Sequence, residues 1–382
     1  MRDFRRDAKI DVIRGVSILL VLFHHFNIAY RLKDTSLAAG LGWDAVKAVA
    51  RNGNYGVTMF FVVSGFLITR NALRRWGSLE RVDAAMFYGL RVARILPCLA
   101  LLLVLVNGLA AAGVPIFQSH TEAGAPFPYW VVNLASLTFW MNVLIAAQGW
   151  VNYPLGVLWS LSVEEVFYLA FPLLCLLLKR ESRLLVFWLL IALIGPAYRW
   201  MHAGDEGGYL YAYFASFDGI AIGCLTAVLA ERGYLRRLAH PAIQTMVVAA
   251  MALLYLKWPI HDSHIWGVSL MALGTAGLLA GVGEERSGGR WGAPMAWLGR
   301  HSYELYLFHL ITLGLLRTAY PPKLTLGDDK LILLAAYLAL SILTAVIVAR
   351  GYAEPLNRLV RRAWARRLGE RPARLAGADA VD

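Results

Sequence analysis

Arg14 and His25 sit eleven residues apart inside the first long apolar segment, IDVIRGVSILLVLFHHFNIAY. In a helix, eleven steps return to within about 20° of the starting direction and climb about 16 Å, so the two side chains share a face. Arg14 then lies near one membrane interface and His25 near mid-bilayer. An ionisable group at that depth must face a bundle interior or an aqueous cavity. An arginine there can hold phosphate or carboxylate, and a deeper imidazole can take a proton from an alcohol. Asp11, three residues before Arg14, is close enough to orient it, or serves as a first-turn charge. Plainer roles stay open: a snorkelling arginine, and a neutral hydrogen-bonded histidine with His24 beside it.

Other groups add to this pair. RVARILP places Arg91 and Arg94 three residues apart on one face, at the same membrane side as Arg14. They suit an anion-binding rim with Arg74 and Arg75 as neighbours, or simple anchoring at the basic side. LWSLSVEEVFYLAFP puts Glu164 and Glu165 just inside another span. Adjacent carboxylates on a helix point about 100° apart, so they are not a ready-made glycosidase pair. One of them can face water or favour the helix start. His309, in HSYELYLFHL, is a further candidate at buried depth, with structural hydrogen bonding and catalysis both open. Ser64 reads as packing within a glycine-containing span, because no GxSxG elbow surrounds it. Asn142 and Trp159 are the available donors for a developing oxyanion. No phosphate loop or HExxH motif occurs, and no metal is expected. Cys98, Cys175 and Cys224 lack metal-ligand spacing and read as isolated buried thiols.

The elements that must position these groups are membrane helices. Of the 382 residues, 59% are hydrophobic and only 16% charged, against about 25% charged in soluble domains. Mean hydropathy is +0.55. Apolar runs near the length of a membrane crossing recur at 10–30, 54–70, 92–112, 160–178, 184–201, 211–230, 242–258, 265–282, 297–317 and 331–350. The net charge of +12 is spread in short clusters between these runs, which reads as topology and excludes a nucleic-acid partner. The expectation is an all-α polytopic membrane protein of about ten transmembrane helices with both termini cytoplasmic. Residues 1–351 form the membrane domain and 352–382 a basic tail near anionic lipid. The first helix is expected to be retained rather than cleaved. The stretch 129–147 is apolar enough to span but carries Asn133, Ser136, Thr138 and Asn142. Counting it as a span would reverse every later loop and spoil the positive-inside pattern, so a re-entrant or interfacial segment is predicted. The outer piece 113–158, free of Lys and Arg, could wall an acceptor site.

Five pieces in order resemble the acyltransferase-3 family of bacterial membrane O-acyltransferases. They are the Arg-x10-His pattern of Arg14 and His25, FFVVSGFLIT, RVARILP, WSLSVEEVFY and SYELYLFH, and the resemblance covers most of the chain. It implies transfer of an acyl group, often acetyl, from cytoplasmic acyl-CoA to a hydroxyl of a sugar or other envelope or secreted acceptor. It also implies residence in the bacterial inner membrane. His25 resembles the catalytic histidine, and Arg14, Arg91 and Arg94 resemble donor-side residues, with Glu164 and Glu165 in the core segment. His309 is assigned less directly. Some members carry an extra SGNH-type domain; this chain is expected to work as a bare membrane module or with a separate periplasmic partner. A transporter of glycolipid or polysaccharide is the alternative.

Overall fold

In the computed structural model, residues 7–282 and 292–367 are described. Among them the chain is helical, with one isolated bridge between His120 and Pro126 and no strand. Ten helices stand at the ten predicted positions: α1 (Ala8–Tyr30), α2 (Asn54–Trp76), α3 (Ala84–Ala111), α4 (Leu158–Leu178), α5 (Glu181–Met201), α6 (Tyr213–Glu231), α7 (Pro241–Lys257), α8 (Gly267–Leu279), α9 (Ser302–Ala319) and α10 (Asp329–Val348). Seven helical stretches, those containing α1 to α6 and α10, are long and apolar enough to cross a membrane, while α7 and α8 are shorter apolar helices. The outer surface has the matching chemistry. Along α5, Val186, Leu189, Leu190 and Leu193 are each more than half exposed, whereas Arg199 on the same helix is fully buried against Asp218 of α6 at 2.7 Å. Apolar side chains turned outward and a paired charge turned inward suit a lipid solvent. The protein is an all-α polytopic membrane protein.

The stretch 129–147 does not cross. It breaks into Tyr129–Leu137 and Met141–Gln148, of nine and eight residues, where a membrane crossing needs about 20. Phe139 between them sits at φ 60°. Its two asparagines are bonded to protein, Asn133 exchanging hydrogen bonds of 2.9 and 3.1 Å with Asn107 and Asn142 Nδ2 donating to the Tyr211 carbonyl at 3.1 Å, while exposed Thr138 turns its hydroxyl back to the Leu134 carbonyl.

Two helix crossings set the position of the functional residues. Gly65 of α2 faces the Ile220 carbonyl of α6, and Gly223 of α6 faces the Val62 carbonyl of α2. At the other crossing Gly15 of α1 meets Met295, and Gly299 meets Asp11, so α1 is seated on the short helix Ala293–Arg300. Small residues at such contacts let backbones approach closely. A Cβ at Gly65 has nowhere to go but into backbone. Gly65→Ala is therefore expected to cost about 1–3 kcal/mol, as overpacking does. The fall appears as a lower detergent or thermal midpoint of the purified protein, while a methyl at Gly40, which meets nothing within 4 Å, leaves the midpoint unchanged.

Beyond α10 the chain makes a π-type turn, Ala349–Ala353, and a last helix, Glu354–Arg367. Trp364 donates its indole N–H to the Ala85 carbonyl at 3.0 Å and packs over Gly89. The C-terminal segment thus braces the start of α3, the helix that carries Arg91 and Arg94. The rest of the basic tail, 368–382, lies outside the described residues.

Candidate active site

A cavity of about 140 Å³ opens between α1, α2, α3, α4 and α9. It gathers Arg14, Arg91, Arg94, Glu164 and Glu165 from three helices into one lining. The two glutamates share it although they point about 100° apart, because the cavity wraps more than one face of α4. Arg14 Nε donates to Ser302 Oγ at 3.1 Å. Arg91 lies over the Tyr168 ring at 4.1 Å. Arg94 lies over Tyr303 at 4.9 Å and reaches Glu304 at 3.6 Å. A guanidinium stacked on an aromatic face keeps its in-plane N–H edges for an oxyanion. The cavity thereby presents three cations along a wall whose other polar groups are hydroxyls and carboxylates.

Those other groups form two anchored clusters. Tyr168 hydrogen-bonds Ser64, and Ser64 and Glu164 both line the cavity, so the serine read as packing belongs to the lining. Farther along α4, Ser160 meets the Tyr306 hydroxyl at 2.7 Å, and that hydroxyl lies 3.1 Å from the Val157 carbonyl. Tyr306 closes the cavity at this end, edge-on to Phe60 with ring centres 6.2 Å apart.

His25 and His309 do not line the cavity; they lie just past Tyr306, whose ring centre is 5.9 Å from that of His309. The two imidazoles stand 5.0 Å apart, with His309 Nε2 3.4 Å from His25 Nδ1. Their hydrogen bonds fix both tautomers. His309 Nδ1 is 2.7 Å from the Tyr306 carbonyl and 3.1 Å from that of Leu305. A carbonyl only accepts, so this nitrogen carries the hydrogen and Nε2 carries the lone pair. His25 Nδ1 has only acceptors around it, the Val21 carbonyl at 3.0 Å and His309 Nε2. It therefore carries its own hydrogen, and His25 Nε2 is left with a lone pair, the arrangement of a general base. His24 is separately tied, with Nδ1 2.8 Å from the Ala50 carbonyl.

Several expectations fall elsewhere. Arg74 is taken by Glu231 at 2.8 Å and does not line the cavity. Asp11 is buried in α1 with its backbone against Gly299, outside the lining. Asn142 is spent on Tyr211, and Trp159 packs edge-on against Tyr211 at 5.2 Å, so neither lines the cavity. Tyr168, Tyr303, Tyr306 and Ser302 were not singled out from sequence. Their signal was present as helical spacing: Tyr168 is four residues from Glu164 and Tyr306 three before His309, each on the face of a residue already noted.

The family model described as an acyltransferase domain matches residues 7–350. Among curated proteins, the chain is 29% identical over 312 residues to the "Putative membrane-bound transacylase BcsY" of Komagataeibacter xylinus, covering 80% of this chain and 72% of that one. It is 25% identical over 328 residues to the "Putative peptidoglycan O-acetyltransferase YrhL" of Bacillus subtilis (strain 168), covering 78% and 47%. It is 24% identical over 336 residues to a "Putative O-acetyltransferase" of Staphylococcus aureus (strain COL), covering 81% and 51%. The chain spans about half the length of the latter two. No solved structure matches. With a family model spanning nearly all of the membrane helices, and the arginines and histidines brought together within it, the chain belongs to the acyltransferase-3 family.

Proposed function

We propose that this protein moves an acyl group, acetyl in the first instance, from cytoplasmic acyl-CoA to a hydroxyl of a cell-envelope sugar, working in the bacterial inner membrane. The observation that carries the reading is the single cavity that collects Arg14, Arg91 and Arg94 and ends one ring short of the His25–His309 pair. The arginine edges suit the phosphates of CoA. Its extended arm then runs along Glu164, Glu165 and Tyr168 toward Tyr306. Rotation of Phe60 and Tyr306 brings the thioester to His25.

In the reaction His25 Nε2 takes the proton of the acceptor hydroxyl as the oxygen attacks the thioester carbonyl. The new C–O bond forms, the C–S bond breaks, and the proton passes from His25 to the departing thiolate. His309 touches neither substrate. It positions His25 by accepting the Nδ1 hydrogen, and that bond strengthens as His25 becomes cationic. His309→Ala is expected to lower kcat about 10- to 100-fold, the value of one hydrogen bond to a charged group, with donor KM unchanged. Gln at 309 supplies an acceptor again and recovers part of the loss. An equal fall in kcat for Ala and Gln, or a change in KM alone, removes this role.

The transfer itself is tested with the purified protein in lipid nanodiscs, labelled acetyl-CoA and sugar oligomers from the cell wall. Label in base-labile ester on the sugar is expected. If acetyl-CoA and longer acyl-CoA donors are neither bound nor consumed, the reading fails and a transport role takes its place. A covalent acyl-histidine would instead show as ping-pong kinetics, which direct transfer does not give.

A further inference from the structure

Glu165 is a group in the cavity that the reaction above leaves without work. It lines the cavity and is 6% exposed, yet its Oε1 has no hydrogen-bond partner among the described residues. Asn71, toward the basic end of the same lining, has an unpartnered Oδ1 as well. A buried acceptor left unsatisfied is costly, and one that faces a cavity is satisfied by what enters it. The neighbours of Glu165 are otherwise engaged: Tyr168 is bonded to Ser64, and Arg91 lies flat on Tyr168.

Position narrows the role. Ser160 is joined to Tyr306 at the histidine end, and Glu165 is five residues farther along α4 toward the basic end, about 7 Å. Glu165 therefore stands on the arginine side of the Ser160–Tyr306 pair, inside the lining that His25 does not join. What passes this point in an acyl-CoA is the pantetheine arm. That arm has no charge, and its two amides each offer one N–H.

We propose that Glu165 Oε1 accepts an amide N–H of the donor's pantetheine arm, which makes Glu165 a residue that selects amide-bearing thioester donors; this rests on the acyl-CoA reading above. The carboxylate sets the depth of the arm and so the reach of the thioester toward His25.

The test is equilibrium binding to the full chain in nanodiscs, using acetyl-CoA and two analogues in which one or the other amide N–H is replaced by an ester oxygen. For the wild type, one analogue is expected to bind about 10- to 100-fold more weakly than acetyl-CoA, the range for a hydrogen bond to a charged group. Glu165→Gln keeps an acceptor and keeps the discrimination. Glu165→Met keeps the volume, loses the acceptor, and binds acetyl-CoA and that analogue alike. If the wild type binds acetyl-CoA and both analogues equally, or if Glu165→Met still discriminates, the role of Glu165 is overturned while the donor reading stands. Absence of saturable acetyl-CoA binding to the wild type overturns both.

Discussion

Replacing His25 by alanine is expected to lower acyl transfer about 10²- to 10⁴-fold, the usual contribution of a positioned general base. Donor affinity is expected to stay within about twofold, because His25 is outside the cavity lining. The loss should exceed that in His309→Ala, since His309 acts only through His25 Nδ1 at 3.4 Å. The removed side chain lies beside His309 and is not part of a buried ion pair, so folding is expected to survive. Monodisperse elution and an unchanged unfolding midpoint check that. Activity retained at more than about a tenth of wild type removes His25 from the chemistry.

The second large effect is on donor binding. Arg91→Ala is expected to weaken acetyl-CoA binding about 10- to 100-fold, the loss of a hydrogen-bonded ion contact to phosphate. Arg91 is the cleanest of the three arginines to remove, because its packing partner is the neutral face of Tyr168. Arg94 also reaches Glu304, which is nearly fully buried, and its removal would leave a buried carboxylate without that partner. For Arg94 the informative variant is lysine, which keeps the charge but not the planar fork. The control is S-acetylpantetheine, a donor without phosphates. Wild type and Arg91→Ala should handle it alike. An equal loss with both donors would mean that Arg91 shapes the cavity rather than holding phosphate.

The helices were legible because lipid imposes a simple rule. Each crossing needs a long apolar run, and charge collects at the ends, so all ten runs reappear as helices, although Asn54–Trp76 runs past its predicted end at 70 and Ala84–Ala111 starts well before its predicted start at 92. The same charge rule kept 129–147 from being counted as a crossing. The co-facial spacing of Arg14 and His25 held because α1 is one uninterrupted helix. Pairings between helices were not legible. Nothing in the order of residues shows that Glu231 takes Arg74, or that Arg199 meets Asp218 at the α5–α6 contact. Those depend on crossings set by small residues such as Gly65 and Gly223, whose consequence is three-dimensional. The separation of His25 from the arginine cavity was hidden for the same reason. A rise of about 16 Å along α1 is a property of one helix, whereas the intervening Tyr306 is held by a hydroxyl on α4.

The most direct single measurement is the equilibrium affinity for acetyl-CoA together with the rate of CoA release, taken on one nanodisc preparation each of wild type, His25→Ala and Arg91→Ala. An arginine cavity that seats the donor for His25 predicts full binding without release in His25→Ala, and weakened binding in Arg91→Ala. Undiminished CoA release in His25→Ala, or undiminished binding in Arg91→Ala, would contradict it.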